Sequence, residues 1–339
     1  MRSGRWLVAE DRMAQVVTLG EAMLRLSPPN SHKLEQTTSF DAKVGGGELN
    51  VAVGIARLGL SSAWVSKLPA NPIGRMVRNK AREQGVDTSN IVWSESGRVG
   101  IYFLEFGAHP RASSVLYDRA GSSVSTLAPG EVDWNKAFEG CKIFHVSGIT
   151  PALSKTCAQT TYEAMKAAKK AGAKVSFDVN YRKKLWTPEE ANECMVPMME
   201  LVDILITTEE DTAIVFGIRQ DSYQEVAIKL EERFGFEIVA ITLREDLSVL
   251  RNNWSTFAYF ERRFHESPKF SCELVDRVGA GDSFTAGFIY GYLTGDVQKA
   301  INYGTAFSAI KHSIPGDLNW ATLEDVENLL KRGGSRIQR

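Results

Sequence analysis

Val278-Gly279-Ala280-Gly281-Asp282-Ser283, followed by the apolar run Phe284-Thr285-Ala286-Gly287-Phe288-Ile289-Tyr290-Gly291-Tyr292-Leu293, decides how this chain is read. Two glycines permit a tight bend. The run behind them is hydrophobic on nearly every side, which predicts a buried helix. The first N–H groups of such a helix lack intrahelical acceptors and carry the positive end of its dipole, so the turn is an anion site. A carboxylate beside an anion site repels what the site attracts. Two readings accommodate it. Asp282 caps the helix, or Asp282 takes a proton from a hydroxyl while the amides hold a phosphoryl group on its way to that hydroxyl.

Outward from this turn, short β-branched runs alternate with amphipathic segments. Strands are expected at 16–21, 63–68, 143–147, 174–180, 202–206 and 237–242, with helices at 51–58, 73–84, 154–171, 189–199, 209–215, 223–234, 297–310 and 323–330. This predicts a mostly parallel sheet covered on both faces. Ligands of such sheets bind beyond the carboxyl ends of the strands, where Glu21, Asn180, Arg182, Arg244 and Asp282 fall. Two stretches depart from the alternation. Residues 22–43 read as polar and irregular, with a strand following at 40–44. Residues 91–126 hold a hairpin, 101–106 and 114–118, with no helix beside it. The two form a small β lid, from about 22–45 and 91–126. An antiparallel pair is expected within 247–260.

The chain has 339 residues, a formal net charge of −1, 43% hydrophobic and 24% charged residues. That charge gives no global attraction to nucleic acid or to an anionic membrane. No run approaches the roughly 18 apolar residues of a membrane span. The four cysteines are scattered without a CxxC pair, and the five histidines form no HExxH. Neither a zinc site nor a disulfide framework is indicated, and a cytoplasmic protein with reduced thiols is expected. The regular pattern begins near Val16. Residues 1–14 therefore read as a loosely ordered extension, with Met13 a plausible natural start, and 15–335 as one domain.

A second glycine-rich segment, Gly45-Gly46-Gly47-Glu48-Leu49-Asn50, opens a helix. It is not GxGxxG, nor is 279–284, and no GxxxxGK[ST] occurs, so neither a dinucleotide fingerprint nor a Walker loop is present. Taken alone, 45–50 reads as a structural turn or as bare amides suited to a polyhydroxylated ligand.

Together, the 45–50 segment and Asp276-Arg277-Val278-Gly279-Ala280-Gly281-Asp282-Ser283 resemble, in order and spacing, the two signatures of the ribokinase-like (PfkB) carbohydrate kinases over about 16–330. The segments 18–28, 100–105, 117–120, 178–182, 185–186 and 314–317 resemble the branch of that family acting on 2-keto-3-deoxygluconate. The resemblance implies a three-layer α/β/α domain with a β-sheet lid. It implies ATP and Mg²⁺ as cofactors, a small sugar acid as substrate, and transfer of phosphate to its terminal hydroxyl. It makes Asp282 the base and Gly279, Ala280 and Gly281 the anion hole. It assigns the sugar to Gly46, Gly47, Asn50, Tyr102, Tyr117, Arg119, Arg182 and Asp317. It assigns the nucleotide to Asn180, Arg182, Thr242, Arg244, Gly279 and Gly281. Guanidinium groups suit a planar carboxylate, so Arg119 and Arg182 are the expected carboxylate ligands.

One departure stands out. Many relatives place KxGxxG near the ribose and phosphates, where this chain reads Thr242-Leu243-Arg244-Glu245-Asp246-Leu247. Direct metal ligands are not readable; Asp178 and Glu210 read either as positioning Mg²⁺ through water or as ordinary strand-end and helix-cap residues. A fructokinase, a ribokinase, a ketodeoxygalactonate kinase and a non-catalytic sugar-binding regulator are the competing readings. The lid offers an open edge through which a homo-oligomer would pair.

Overall fold

The structure is a computed structural model that describes residues 13–248 and 250–332; the extension expected over 1–14 lies almost wholly outside them. In chain order the strands are β1 (Val16–Leu19), β2 (Met23–Ser27), β3 (Asp41–Gly45), β4 (Ser62–Val65), β5 (Lys67–Pro69), β6 (Val92–Ser94), β7 (Gly100–Glu105), β8 (Ser114–Asp118), β9 (Ile143–Ser147), β10 (Lys174–Asp178), β11 (Ile204–Thr207), β12 (Ile238–Ser248), β13 (Arg251–Phe260), β14 (Arg263–Glu266) and β15 (Phe270–Glu273). The helices are α1 (Gly47–Arg57), α2 (Pro72–Glu83), α3 (Trp134–Ala137), α4 (Ile149–Ala152), α5 (Lys155–Lys170), α6 (Pro188–Met199), α7 (Glu209–Phe216), α8 (Tyr223–Phe234), α9 (Ala280–Thr294), α10 (Val297–Lys311) and α11 (Leu323–Arg332).

The main sheet runs β14-β13-β12-β11-β10-β9-β1-β4, with β15 also on β13. Its six strands from β12 to β4 are parallel. Alternation along each strand feeds two cores. Val17, Phe144, Phe177 and Leu205 pack under α5, α6 and α8. Val16, Ile143, Ile204 and Ile238 pack under α1, α9, α10 and α11. The expected three-layer α/β/α arrangement is what forms, because the parallel strands are buried on both faces.

The lid is a four-stranded sheet, β3-β2-β7-β8. Here the reading of 22–43 as irregular is corrected, because Met23–Ser27 is a strand and almost wholly buried. Arg25 hid it: a central arginine breaks the apolar signal, yet it is 1% exposed because two carboxylates neutralise it. The ladder aligns Lys43, Arg25, Tyr102 and Tyr117 in one row and Ala42, Leu26, Phe103 and Leu116 in the next. Neighbouring rows face opposite sides. The row with Arg25 and Tyr102 faces the protein interior, and the row with Phe103 and Leu116 faces solvent.

Three boundaries also move. α1 begins at Gly47, not at residue 51. The core strand expected over 63–68 is split, since β5 leaves the main sheet to pair with β6. The antiparallel pair does not begin at 247: β12 runs on from its parallel neighbour and pairs with β13 from Ile238.

Candidate active site

α9 begins on Gly279, whose φ of 83° is left-handed. A Cβ there would overlap the carbonyl oxygen of Asp317, so position 279 tolerates only glycine. Ala280 donates to the carbonyl of Arg277 and Ser283 to that of Gly279. The N–H groups of Gly281 and Asp282 open the helix, and Gly281 is exposed with clear space where a side chain would stand. Of the three residues expected to form the anion hole, Ala280 thus has its N–H committed to the turn.

Asp282 is partly buried in the first turn of α9. Asn50 Nδ2 donates to its Oδ2 at 2.7 Å, and Asn50 Oδ1 accepts from the Gly46 N–H at 3.3 Å. The asparagine expected to hold sugar therefore also fixes the acid against the glycine segment. A Cβ at Gly46 would overlap the Glu21 carbonyl oxygen. Burial pushes the Asp282 carboxyl up to about 6, with Glu48 and Asp317 adding to the rise and Asn50 and Arg182 opposing it.

Behind this pair lies a second carboxylate. Glu48 Oε1 accepts from the Ser147 amide at 3.0 Å, Ser147 Oγ at 2.7 Å and Thr150 Oγ1 at 2.9 Å. These bonds tie the start of α1 to the end of β9.

Under the lid, Tyr102 donates through its hydroxyl to Asp317 Oδ1, and Arg25 Nη1 reaches Asp317 Oδ2 at 2.8 Å. Both oxygens of Asp317 are thus engaged, and the residue is 2% exposed. Asp317 and Tyr102 frame the glycine segments. Tyr117 lies 5.9 Å from the Tyr102 ring, with the Arg119 guanidinium 5.5 Å and the Lys184 ammonium 5.6 Å from its own ring. Arg119 is paired with Glu21 through Nε at 2.8 Å and through Nη2. Sequence reasoning placed Glu21 at the strand end without seeing this pair. The other Glu21 oxygen is buried and has no hydrogen-bond partner.

A cavity of about 1150 Å³ opens between lid and sheet, lined by Tyr117, Arg119, Arg182, Asp211, Thr242 and Arg244 among others. Single-ligand pockets run to about 1,000 Å³, so this one has room for a nucleotide and a sugar together. Asp282 is not a lining residue; Arg182, which is, acts on it through charge. Asn180 turns the chain after β10 with a φ of 40°, a conformation asparagine tolerates. Thr242 and Arg244 belong to β12, paired with Thr256 and Trp254 of β13. The segment replacing KxGxxG is therefore a strand, not a glycine loop.

Burial drives the Asp178 carboxyl well above the usual range, and the charges of Asp211 and Asp282 drive it further. Burial takes Asp211 up to about 6 against the pull of Arg182. Two crowded carboxylates beside a phosphate site are the environment a divalent cation relieves. Glu210, which sequence reasoning set beside Asp178, adds its charge to the rise on Asp211. Among the described residues no three His, Cys, Asp or Glu side chains could together hold a metal ion. Asp178 and Asp211 are the residues that would hold Mg²⁺ here, together with the phosphates of the nucleotide.

An acid at a helix start beside open amides, within charge range of an arginine that lines a cleft for two ligands, is the arrangement of a phosphotransferase acting on an alcohol. The chain belongs to the pfkB family of carbohydrate kinases, whose match spans residues 13–320. It is accordingly an ATP-dependent sugar kinase, with ATP and Mg²⁺ as its cofactors. It is 38% identical to the 2-dehydro-3-deoxygalactonokinase of Haloferax volcanii over 96% of this chain and 99% of that one. It is 30% identical to the 5-dehydro-2-deoxygluconokinase of Shouchella clausii, covering 95% and 97%. The crystal structure of 2-dehydro-3-deoxygluconokinase from Thermotoga maritima superposes with a TM-score of 0.91 at 44% identity, covering 94% and 99%. No helix among the described residues is long and apolar enough to cross a membrane.

Proposed function

We propose that this kinase phosphorylates the terminal hydroxyl of 2-keto-3-deoxygluconate, giving the 6-phosphate. The observation that carries the reading is the basic, aromatic end of the cleft, where Arg119 and Lys184 flank Tyr117 and Arg182 lines the same cavity. A neutral sugar needs no such cluster, whereas a sugar acid offers a carboxylate to it. The names of the Thermotoga maritima and Haloferax volcanii proteins support the same substrate class.

In the proposed mechanism the sugar lies under the lid with its terminal hydroxyl at Asp282. Asp282 accepts the proton as that oxygen attacks the γ-phosphorus in line. The new O–P bond forms, the bond to the β-phosphate oxygen breaks, and ADP leaves. The Gly281 and Asp282 amides receive the charge on the equatorial oxygens. Gly46, Gly47, Asn50, Tyr102 and Asp317 hold the sugar, and Asn180, Thr242 and Arg244 the nucleotide. Bound Mg²⁺ neutralises phosphate charge. The lid excludes water, the competing acceptor. A second copy of the chain covers the outer row Ala42, Leu26, Phe103 and Leu116, in which Leu116 is 57% exposed.

The test is ADP release with 2-keto-3-deoxygluconate, its galactonate epimer, 5-dehydro-2-deoxygluconate, fructose and ribose. The reading requires the highest kcat/KM with the first. Preference for the epimer or for the 5-keto acid reassigns the substrate, and preference for a neutral sugar removes the role given to the arginines.

A further inference from the structure

Lys311, at the end of α10, is 0% exposed and has no part in the mechanism above. Its Nζ donates to the carbonyl of Asp276 at 3.1 Å and to that of Ile314 at 2.9 Å. Those carbonyls belong to two segments that bracket the anion site. The first runs from Asp276 into the Gly279 turn, and the second runs from His312 to Asp317. They are stitched elsewhere too. Asp276 Oδ1 accepts from the Val278 N–H at 3.1 Å, while its Oδ2 accepts from the Gly316 N–H at 2.8 Å and from Arg25 at 2.7 Å. The Val275 and Asp276 amides donate to the His312 carbonyl. The carbonyl of Asp317 then lies against Gly279, closing the frame.

A fully buried lysine is rare and costly unless something uses its charge. Burial lowers its pKa to about 8, against the pull of Asp276, Asp317 and Asp282 and with the push of Arg25. A neutral apolar side chain would fill this place at lower cost. An ammonium does what that chain cannot, since it grips two carbonyl oxygens of separate segments at once.

We propose that Lys311 is a positioning residue for phosphoryl transfer, its ammonium holding the 276–279 and 312–317 segments at the spacing that sets the anion site against Asp282. The inference rests on the reading of the start of α9 as the phosphoryl site. Misplacing reacting groups by about 1 Å costs on the order of a hundredfold in rate, which sets the scale of the test.

The experiment compares wild type, Lys311→Ala and Asp282→Asn in ammonium chloride and in sodium chloride at equal ionic strength. Lys311→Ala is expected to be folded by circular dichroism, with kcat down about a hundredfold and KM for the sugar acid little changed, because the residues proposed to hold the carboxylate lie elsewhere. Ammonium ions, small enough for the vacated space, are expected to restore at least about tenfold of that loss, with no effect on wild type. Asp282→Asn should stay inactive in both salts. Normal kcat in Lys311→Ala, absence of ammonium-specific rescue, or failure of the variant to fold in either salt would each overturn the inference. Normal turnover in Asp282→Asn would instead remove the site reading beneath it.

Discussion

At the scale of the residue, the site carries a visible energetic cost in Asp282. Its carboxyl ionises at about 6 against an ordinary 3.8. An acid whose folded-state pKa is raised favours folding at low pH, and that contribution is lost as pH rises through about 6. At neutral pH the native protein therefore bears a charge that the unfolded chain would bear more easily. Asp282→Asn should lower kcat at least about a hundredfold while raising stability at pH 7.5 by about 1 to 3 kcal/mol, measured by thermal or denaturant unfolding. Loss of turnover accompanied by loss of stability would contradict this. The acid limb of wild-type kcat/KM should fall near pH 6. Because Asp178 and Asp211 share the region, the limb reports the coupled group. Arg119 needs a different design. Removing it alone strands Glu21, which is 3% exposed, and an uncompensated buried charge costs about 3 to 5 kcal/mol. In an Arg119→Met, Glu21→Gln double variant the fold should hold. The KM for the sugar acid should then rise about 10- to 100-fold, the worth of a charge-assisted hydrogen bond, with little change for fructose. Equal losses on both sugars would argue against carboxylate recognition.

At the scale of the element, α9 couples packing to chemistry. A Cβ at Gly287 would stand 2.7 Å from the Tyr303 carbonyl oxygen and 2.8 Å from Gly304 Cα, so α9 and α10 touch backbone to backbone. Gly287→Val must force them apart, at about 1 to 3 kcal/mol or more. Stability and turnover should then fall together, the opposite of Asp282→Asn, as followed by the melting temperature beside kcat. Elements of this kind were the most legible in the sequence: α9 announced itself by being apolar all round, and the parallel strands by unbroken β-branched runs. What stayed hidden was set by partners distant in the chain. Strand β2 looked polar because Arg25 finds its carboxylates at Asp276 and Asp317, some 250 to 290 residues on. Glu21 looked like a lone strand-end acid because Arg119, 98 residues away, completes it. Three glycines concealed the start of α1, since propensity reads them as loop, while close contact with Asp317 demands the first and close contact with Glu21 the second. Lys311, the cation beneath the turn, left no local signal at all.

At the scale of the whole molecule, the lid relates the site to the surface. Its outer row ends on exposed Leu116, with Phe40 and Phe103 edge to face at 5.8 Å nearby. If a second copy covers this row, Leu116→Lys with Phe103→Glu should shift the mass measured by light scattering from dimer to monomer. The wild-type chain scattering as a monomer at micromolar concentration would dismiss the pairing. The interior strand β2 and the border strand β8 of the same sheet are held differently. Arg25 rivets β2 to Asp276 and Asp317 of the main domain, whereas Ser114, Leu116 and Asp118 of β8 lie open. That strand, which bears Tyr117 and leads to Arg119, is tied down by Lys184 on the Val115 carbonyl and by Arg119 on Glu21; a sugar carboxylate that drew Arg119 away from Glu21 would undo one of the two ties, so capture of the acid and the position of this strand are linked.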